Sequence, residues 1–159
     1  MKKDNIQIRE AEISDLSELQ SLYSSTIDTT CKNDYSAEQR EVWKSGIRDK
    51  KRWTDAIKNH YFIVAEISSR VVGFGSLKDG EYIDFLYVSK DQLRKGIANR
   101  IYMELEEVAL KNKKLELFSD VSITAKPFFE SKGYQVQEKN RIIKEGVELF
   151  NFRMIKKLE

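Results

Sequence analysis

Residues 85–100, Phe-Leu-Tyr-Val-Ser-Lys-Asp-Gln-Leu-Arg-Lys-Gly-Ile-Ala-Asn-Arg, pass from an apolar strand through a short basic turn into a long amphipathic helix. That succession fixes where the chain must bend and what it presents at the bend. A helix start carries backbone N–H groups without intrahelical partners and the positive end of the helix dipole, so an anion placed there meets several donors at once. Gly96 lets the backbone approach closely, Arg94 and Lys95 add two positive charges, and the small Ala98 leaves room in the first helical turn. A phosphate suits such a turn. The same residues also read as an ordinary strand-to-helix connection with solvated basic side chains, and the turn alone leaves both readings open.

The rest of the chain builds a frame around this stretch. Residues 6–9 alternate apolar and polar as a strand does, and Ser14 with Asp15 starts a helix in which Leu16, Leu19, Leu22, Tyr23 and Ile27 share one face. Residues 28–35 read as loop. Ser36 is placed as the N-cap of a short helix carrying Val42 and Trp43, and a second short helix over residues 49–59 carries Trp53 and Ile57. Strands follow over 61–67, 71–77 and 82–88, the last two joined by the hairpin signal Asp79-Gly80, so the middle of the chain is an antiparallel meander. The helix after Gly96 places Ile97, Ile101, Leu105, Val108 and Ala109 in one stripe and ends near Asn112. A strand over 115–121, a short helix over 125–131 with Pro127 in its first turn, and strands over 134–139 and 147–155 complete the order. The expected fold is α+β: a three-layer α/β/α domain on a mixed, mostly antiparallel sheet of about seven strands, with the whole of residues 1–159 as one domain.

Composition removes several function classes. With Lys+Arg 28 against Asp+Glu 26, the net charge of +2 gives no chain-wide electrostatic footprint for nucleic acid. Cys31 stands alone, which rules out an internal disulfide and fits a reducing compartment. One histidine, His60, makes a zinc site or a Ser-His-Asp hydrolase a poor fit, and no nucleophile elbow accompanies it. No apolar leader or bilayer-length run stands out, so the expected setting is cytoplasmic, with no membrane, metal or nucleic-acid partner.

Three local patterns, in order and at matching spacings, resemble the GCN5-related N-acetyltransferases. Val72-Gly73-Phe74-Gly75 is similar to that family's central strand, Tyr87 to Ala98 to its strand and pyrophosphate loop R/Q-x-x-G-x-G/A, and residues 125–134, Ala-Lys-Pro-Phe-Phe-Glu-Ser-Lys-Gly-Tyr, to its late helix. The resemblance implies acetyl-CoA as cosubstrate, lying where two strands splay. Its pantetheine arm would bond the backbone of Leu86, Tyr87 and Val88, and its pyrophosphate would rest on Arg94, Lys95, Gly96, Ile97 and Ala98. Departures matter. Leu93 stands at the family's Arg/Gln position with Gln92 one residue early, Ser122 replaces an asparagine that touches the cofactor arm, and Phe129 replaces a tyrosine that protonates the departing thiolate.

The implied reaction is direct transfer of acetyl to a primary amine of a small molecule or peptide in a ternary complex. It needs a neutral amine, a polarised carbonyl and an accepted thiolate. Period-2 alternation puts Tyr82, Asp84, Leu86 and Val88 on one strand face, which makes Asp84 the first candidate base, with Tyr82 beside it and Asp120 second. Asp84 reads equally as a structural carboxylate. Cys31, Asp34, Tyr35 and Trp43, with Asp28, fall in the region expected to meet the acceptor. The missing tyrosine also admits a non-catalytic acyl-CoA-binding or regulatory module of the same fold. The last strand, ending at Ile155, suits pairing in a homodimer.

Overall fold

Seven strands line up in the order β1-β2-β3-β4-β5-β7-β6, with β1 at Gln7–Glu10, β2 at Tyr61–Ile67, β3 at Arg70–Lys78, β4 at Tyr82–Val88, β5 at Glu116–Ser122, β6 at Gln135–Lys144 and β7 at Val147–Lys157. This computed structural model describes residues 5–93 and 95–158. Neighbouring strands are antiparallel throughout except β4 and β5, which run parallel and meet at a single register pair, Tyr82 with Phe118. Five α-helices are described: α1 (Leu16–Thr30), α2 (Ala37–Lys44), α3 (Lys50–Asn59), α4 (Ile97–Lys111) and α5 (Lys126–Ser131).

Helices α2 and α3 begin on side-chain caps. Ser36 Oγ accepts from Gln39 N at 3.1 Å while Gln39 Oε1 accepts from Ser36 N at 2.9 Å, a reciprocal capping box that starts α2. Asp49 accepts from Arg52 N at 3.1 Å and so fixes the first turn of α3. The apolar faces then pack on opposite sides of the sheet. Leu19, Leu22, Tyr23 and Ile27 of α1 join Trp53, Ala56 and Ile57 of α3 against Phe62, Val64, Phe74 and Phe85, whereas Ile97, Ile101, Tyr102, Leu105 and Ala109 of α4 cover Ile63, Ala65, Leu77, Ile83 and Val88. The expected three layers are present.

Close approach of α4 to the sheet depends on glycines in β3. A Cβ on Gly75 would stand 2.7 Å from Ile101 Cγ2, closer than carbon atoms tolerate, and 3.3 Å from the Phe85 carbonyl. Gly75→Val therefore forces α4 outward, with an expected loss of about 1–3 kcal/mol in urea-induced unfolding.

Element bounds and burial differ from the sequence expectation in several places. α1 continues to Thr30, so only the end of the expected 28–35 loop is a turn. β6 reaches Lys144 rather than Lys139, because it follows β7 to the two-residue turn at Glu145 and Gly146, both at positive φ. On α4 the buried stripe takes in Tyr102, with Val108 only half-buried.

A larger correction concerns β4. The register against β3 slips between Ser76 and Leu77, which pair with Phe85 and Ile83, so Asp84 is an extra residue in a bulge. Alternation therefore restarts there. Ile83, Leu86 and Val88 pack on the α4 side, whereas Phe85 and Tyr87 pack on the α1–α3 side, and Asp84 reaches Arg52 of α3. The expectation that Asp84 shares a side-chain face with Leu86 and Val88 fails for this reason. No sequence pattern in 82–88 announces the extra residue.

Candidate active site

Beyond Tyr82 and Phe118 the two parallel strands part, and the gap opens a cleft of about 530 Å³. Its throat is pinned from both sides: Phe118 N–H donates to Glu81 O at 3.0 Å, and the buried Ser119 hydroxyl donates to Ile83 O at 2.7 Å. Above that point β4 has an edge without a strand partner. Ser89 N–H bonds Val72 O of β3 at 2.8 Å, so by alternation along the backbone the amides of Val88 and Leu86 turn away from β3 toward the cleft. An extended ligand arm can add there as a strand would. Tyr87, by the same alternation, presents its amide to β3, which limits its expected share of the arm to Leu86 and Val88.

At one end of the cleft stands the start of α4. Gly96 is its N-cap at φ +79°, a left-handed conformation that glycine adopts without strain, and among the described residues beyond its chain neighbours no atom lies within 4 Å of where a Cβ would stand. The first-turn amides of Ile97 and Ala98 have no intrahelical acceptor. Lys95 is exposed beside them, and Leu93 and Ala98 line the opening. Arg94 lies outside the described residues. These features fit a pyrophosphate: backbone donors, a cation and open space above a glycine. Ser122 also lines the cleft, its Oγ accepting from Ala125 N at 3.0 Å, which leaves its O–H directed elsewhere. Phe129 is 3% exposed, its ring edge-on to Tyr134 at 5.0 Å, so it belongs chiefly to the core and only borders the cleft.

The other end holds the candidate acid–base groups. Asp84 faces Arg52 through two contacts, Nη1 to Oδ2 at 3.3 Å and Nη2 to Oδ1 at 3.2 Å, and the guanidinium lies 4.6 Å above the Phe85 ring. His60 Nδ1 stands 3.7 Å from Asp84 Oδ2. Asp120 is more firmly held, receiving Arg153 Nε at 2.8 Å and Nη2 at 3.0 Å, the Tyr82 hydroxyl at 2.9 Å and Asn140 Nδ2 at 2.9 Å. Burial acts to raise its carboxyl, but the Arg153, Tyr82 and Asn140 bonds outweigh it and hold Asp120 below the ordinary aspartate value. It is therefore an anchor with little capacity to take a proton. Tyr82 is pushed up, first by burial and then by the Asp120 charge, and keeps its own proton on that carboxylate.

A depressed native carboxyl contributes stability above its unfolded value near pH 4 and loses that contribution as pH falls through the native value. Asp120→Asn is expected to flatten the acid side of the melting-temperature profile below about pH 4, measured by circular dichroism.

The segment between α1 and α2 roofs the acceptor end. Tyr35 donates to Phe150 O of β7 at 2.9 Å and accepts from Ile123 N at 3.0 Å, and Gln39 Nε2 donates to Glu148 O at 2.8 Å. Burial raises the Tyr35 phenol to about 12. Cys31, Tyr35 and Trp43 all line the cleft, as the sequence led one to expect, but Asp34 is bonded to Thr124 and Asp28 to Lys44. Burial pushes the Cys31 thiol up, so it is no ready nucleophile. The sequence reading missed Arg52, His60, Arg153 and Asn140 as neighbours of the two aspartates. Asp49 three residues before Arg52 was the one legible hint, since it fixes the turn that carries Arg52.

This geometry can be set beside known proteins. The Acetyltransferase (GNAT) domain family matches residues 31–156. The chain belongs to the GCN5-related N-acetyltransferase family. An uncharacterized N-acetyltransferase of Escherichia coli K12, YafP, is 34% identical over 151 residues, covering 95% of each chain. Among solved structures, a GCN5-related N-acetyltransferase from Rhodopseudomonas palustris superposes with a TM-score of 0.92 at 28% identity, covering 99% of both chains. The PaiA N-acetyltransferase of Thermoplasma acidophilum, solved with coenzyme A, gives 0.81 at 23% identity, covering 97% of this chain and 99% of its own. Membership of the GNAT family supports acetyl-CoA-dependent acetyltransferase activity for this chain. No helix among the described residues is long and apolar enough to cross a membrane.

Proposed function

We propose that this GNAT protein moves acetyl from acetyl-CoA to a primary amine of a small molecule or peptide by direct attack in a ternary complex. One observation carries the reading: a single cleft runs from the Gly96 helix end, suited to phosphate, to Asp84 and Tyr82 at the far end. That the PaiA N-acetyltransferase was solved with coenzyme A supports a CoA ligand for this fold. Acetyl-CoA lies along the free edge of β4, with the thioester carbonyl against the Leu86 amide. The acceptor enters beneath the roof formed by Tyr35, Trp43 and Phe150.

Asp84 takes a proton from the amine, directly or through water. Tyr82, its proton committed to Asp120, offers oxygen lone pairs that accept from the amine and orient it. Phe129 has no proton to give, so the Ser122 hydroxyl or a water in the cleft serves the thiolate. Mixing the protein with acetyl-CoA and a panel of primary amines, with thiol release and product mass as readouts, tests this. Acetylated amine and CoA formed in equal amounts are the expected result. Binding of acetyl-CoA without turnover of any amine would replace this reading with that of a non-catalytic acyl-CoA-binding module.

A further inference from the structure

Asp84 is almost enclosed, its side chain 13% exposed, and its neighbours leave few routes for a proton. Arg52 of α3 spans both carboxylate oxygens, and its guanidinium only donates hydrogen bonds. Tyr23 of α1 has its phenol raised to about 12 by burial, and it donates to Trp43 O at 3.1 Å. Tyr82 of β4 is committed to Asp120. A bound acceptor closes the cleft side. Lys78 and Asp79, at the end of β3 and in its turn, act on His60 only through their charge.

What remains is His60, between α3 and β2. Nδ1 faces Asp84 Oδ2 at 3.7 Å and Ser76 Oγ, fully buried on β3, at 3.4 Å, while the side chain keeps 11% exposure. A gap of this size before substrate binds is common between catalytic partners and closes on binding. Burial keeps His60 below its ordinary value, against the pull of Asp84, so the ring rests neutral near pH 7.

We propose that His60 is the outlet through which Asp84 hands the acceptor's proton to solvent, a positioning and relay residue that acts through Asp84 and not on the substrate. The inference rests on Asp84 being the base. The balance is simple. An ammonium acceptor and acetyl-CoA give an amide, CoA thiol and one free proton: the C–N bond forms, the C–S bond breaks, one nitrogen proton ends on sulfur and one leaves through Asp84. In the resting tautomer Nδ1 accepts from the Ser76 hydroxyl and Nε2 carries the hydrogen. Nδ1 then takes the proton from Asp84 and Nε2 releases its own to water.

The experiment uses full-length wild type, His60→Gln, His60→Ala and Asp84→Asn with acetyl-CoA and an amine turned over by the wild type. Rates are followed from pH 5.5 to 9, with and without added imidazole. The expected result is a roughly tenfold fall in kcat for both His60 variants with KM for acetyl-CoA unchanged, and recovery of His60→Ala, but not wild type, on adding imidazole. A structural role would give neither recovery nor a changed pH profile. Unchanged kcat in His60→Gln across the range, or a loss that imidazole fails to restore in a folded His60→Ala, overturns the relay. If Asp84→Asn is inactive while the His60 variants are normal, the relay alone falls. If Asp84→Asn keeps wild-type activity, the base assignment falls first and takes the relay with it.

Discussion

Gly96→Glu is expected to abolish acetyl-CoA binding while the protein stays folded. The backbone there has φ +79°, so any side chain costs roughly 1–2 kcal/mol of strain, but among the described residues beyond its chain neighbours the Cβ meets none within 4 Å. Strain alone is therefore modest. The carboxylate is another matter, because it would stand at the helix end where the pyrophosphate is placed, and like charges held together cost several kcal/mol, enough to weaken binding by at least about a hundredfold. Gly96→Ala separates the two effects. It carries the strain and a methyl group without the charge, and a loss of only about tenfold is expected in isothermal titration with acetyl-CoA. Equal losses in both variants would mean that backbone shape, not charge, governs the site. Normal binding by Gly96→Glu would remove the phosphate from this turn altogether.

Asp84→Asn carries the second large effect. The amide keeps the size of the carboxylate but takes no proton from an ammonium acceptor, so kcat/KM should fall about 10²–10³-fold, within the range for loss of a positioned base. Acetyl-CoA affinity should hold, since the phosphate end of the cleft is untouched. The cost in stability should stay below about 1 kcal/mol, because the Arg52 partner is 46% exposed and remains hydrated when its counter-charge is gone. A matching drop in acetyl-CoA affinity would instead mark Asp84 as part of the frame.

Much of this was legible in the chain itself. Ser36 with Gln39, Gly96 before Ile97, and the apolar meander from Tyr61 to Val88 are local signals, and each produced the expected element because the cause lies within a few residues. What escaped the sequence depends on packing across the sheet. The bulge at Asp84 arises from the pairing of β3 with β4, which slips by one residue under Phe85 and Ser76. Alternation within one strand carries no record of its partner's register. Arg52 and His60 come to Asp84 from a helix end and a strand start that the chain order separates by more than 20 residues. Asp120 read as a candidate base, but its saturation by Arg153, Tyr82 and Asn140 required β4, β5, β6 and β7 to be assembled side by side. Extension of α1 through Thr30 has a plainer origin: aspartate and threonine are weak helix formers, but Asp28 pairs with Lys44 of α2 at 2.8 Å and the Thr29 hydroxyl donates to Ser25 O at 2.7 Å.

The segment over the cleft is hydrogen-bonded to main-chain atoms of β7: the carbonyls of Phe150 and Glu148 receive Tyr35 and Gln39. Among the described residues, these are the hydrogen bonds between that segment and the hairpin. Ile142 and Leu149 line the cleft from β6 and β7, and neither takes part in those two bonds. Cleft wall and tether thus use different atoms of the same two strands, so substitutions at Ile142 and Leu149 reshape the wall while the Phe150 and Glu148 carbonyls stay in place.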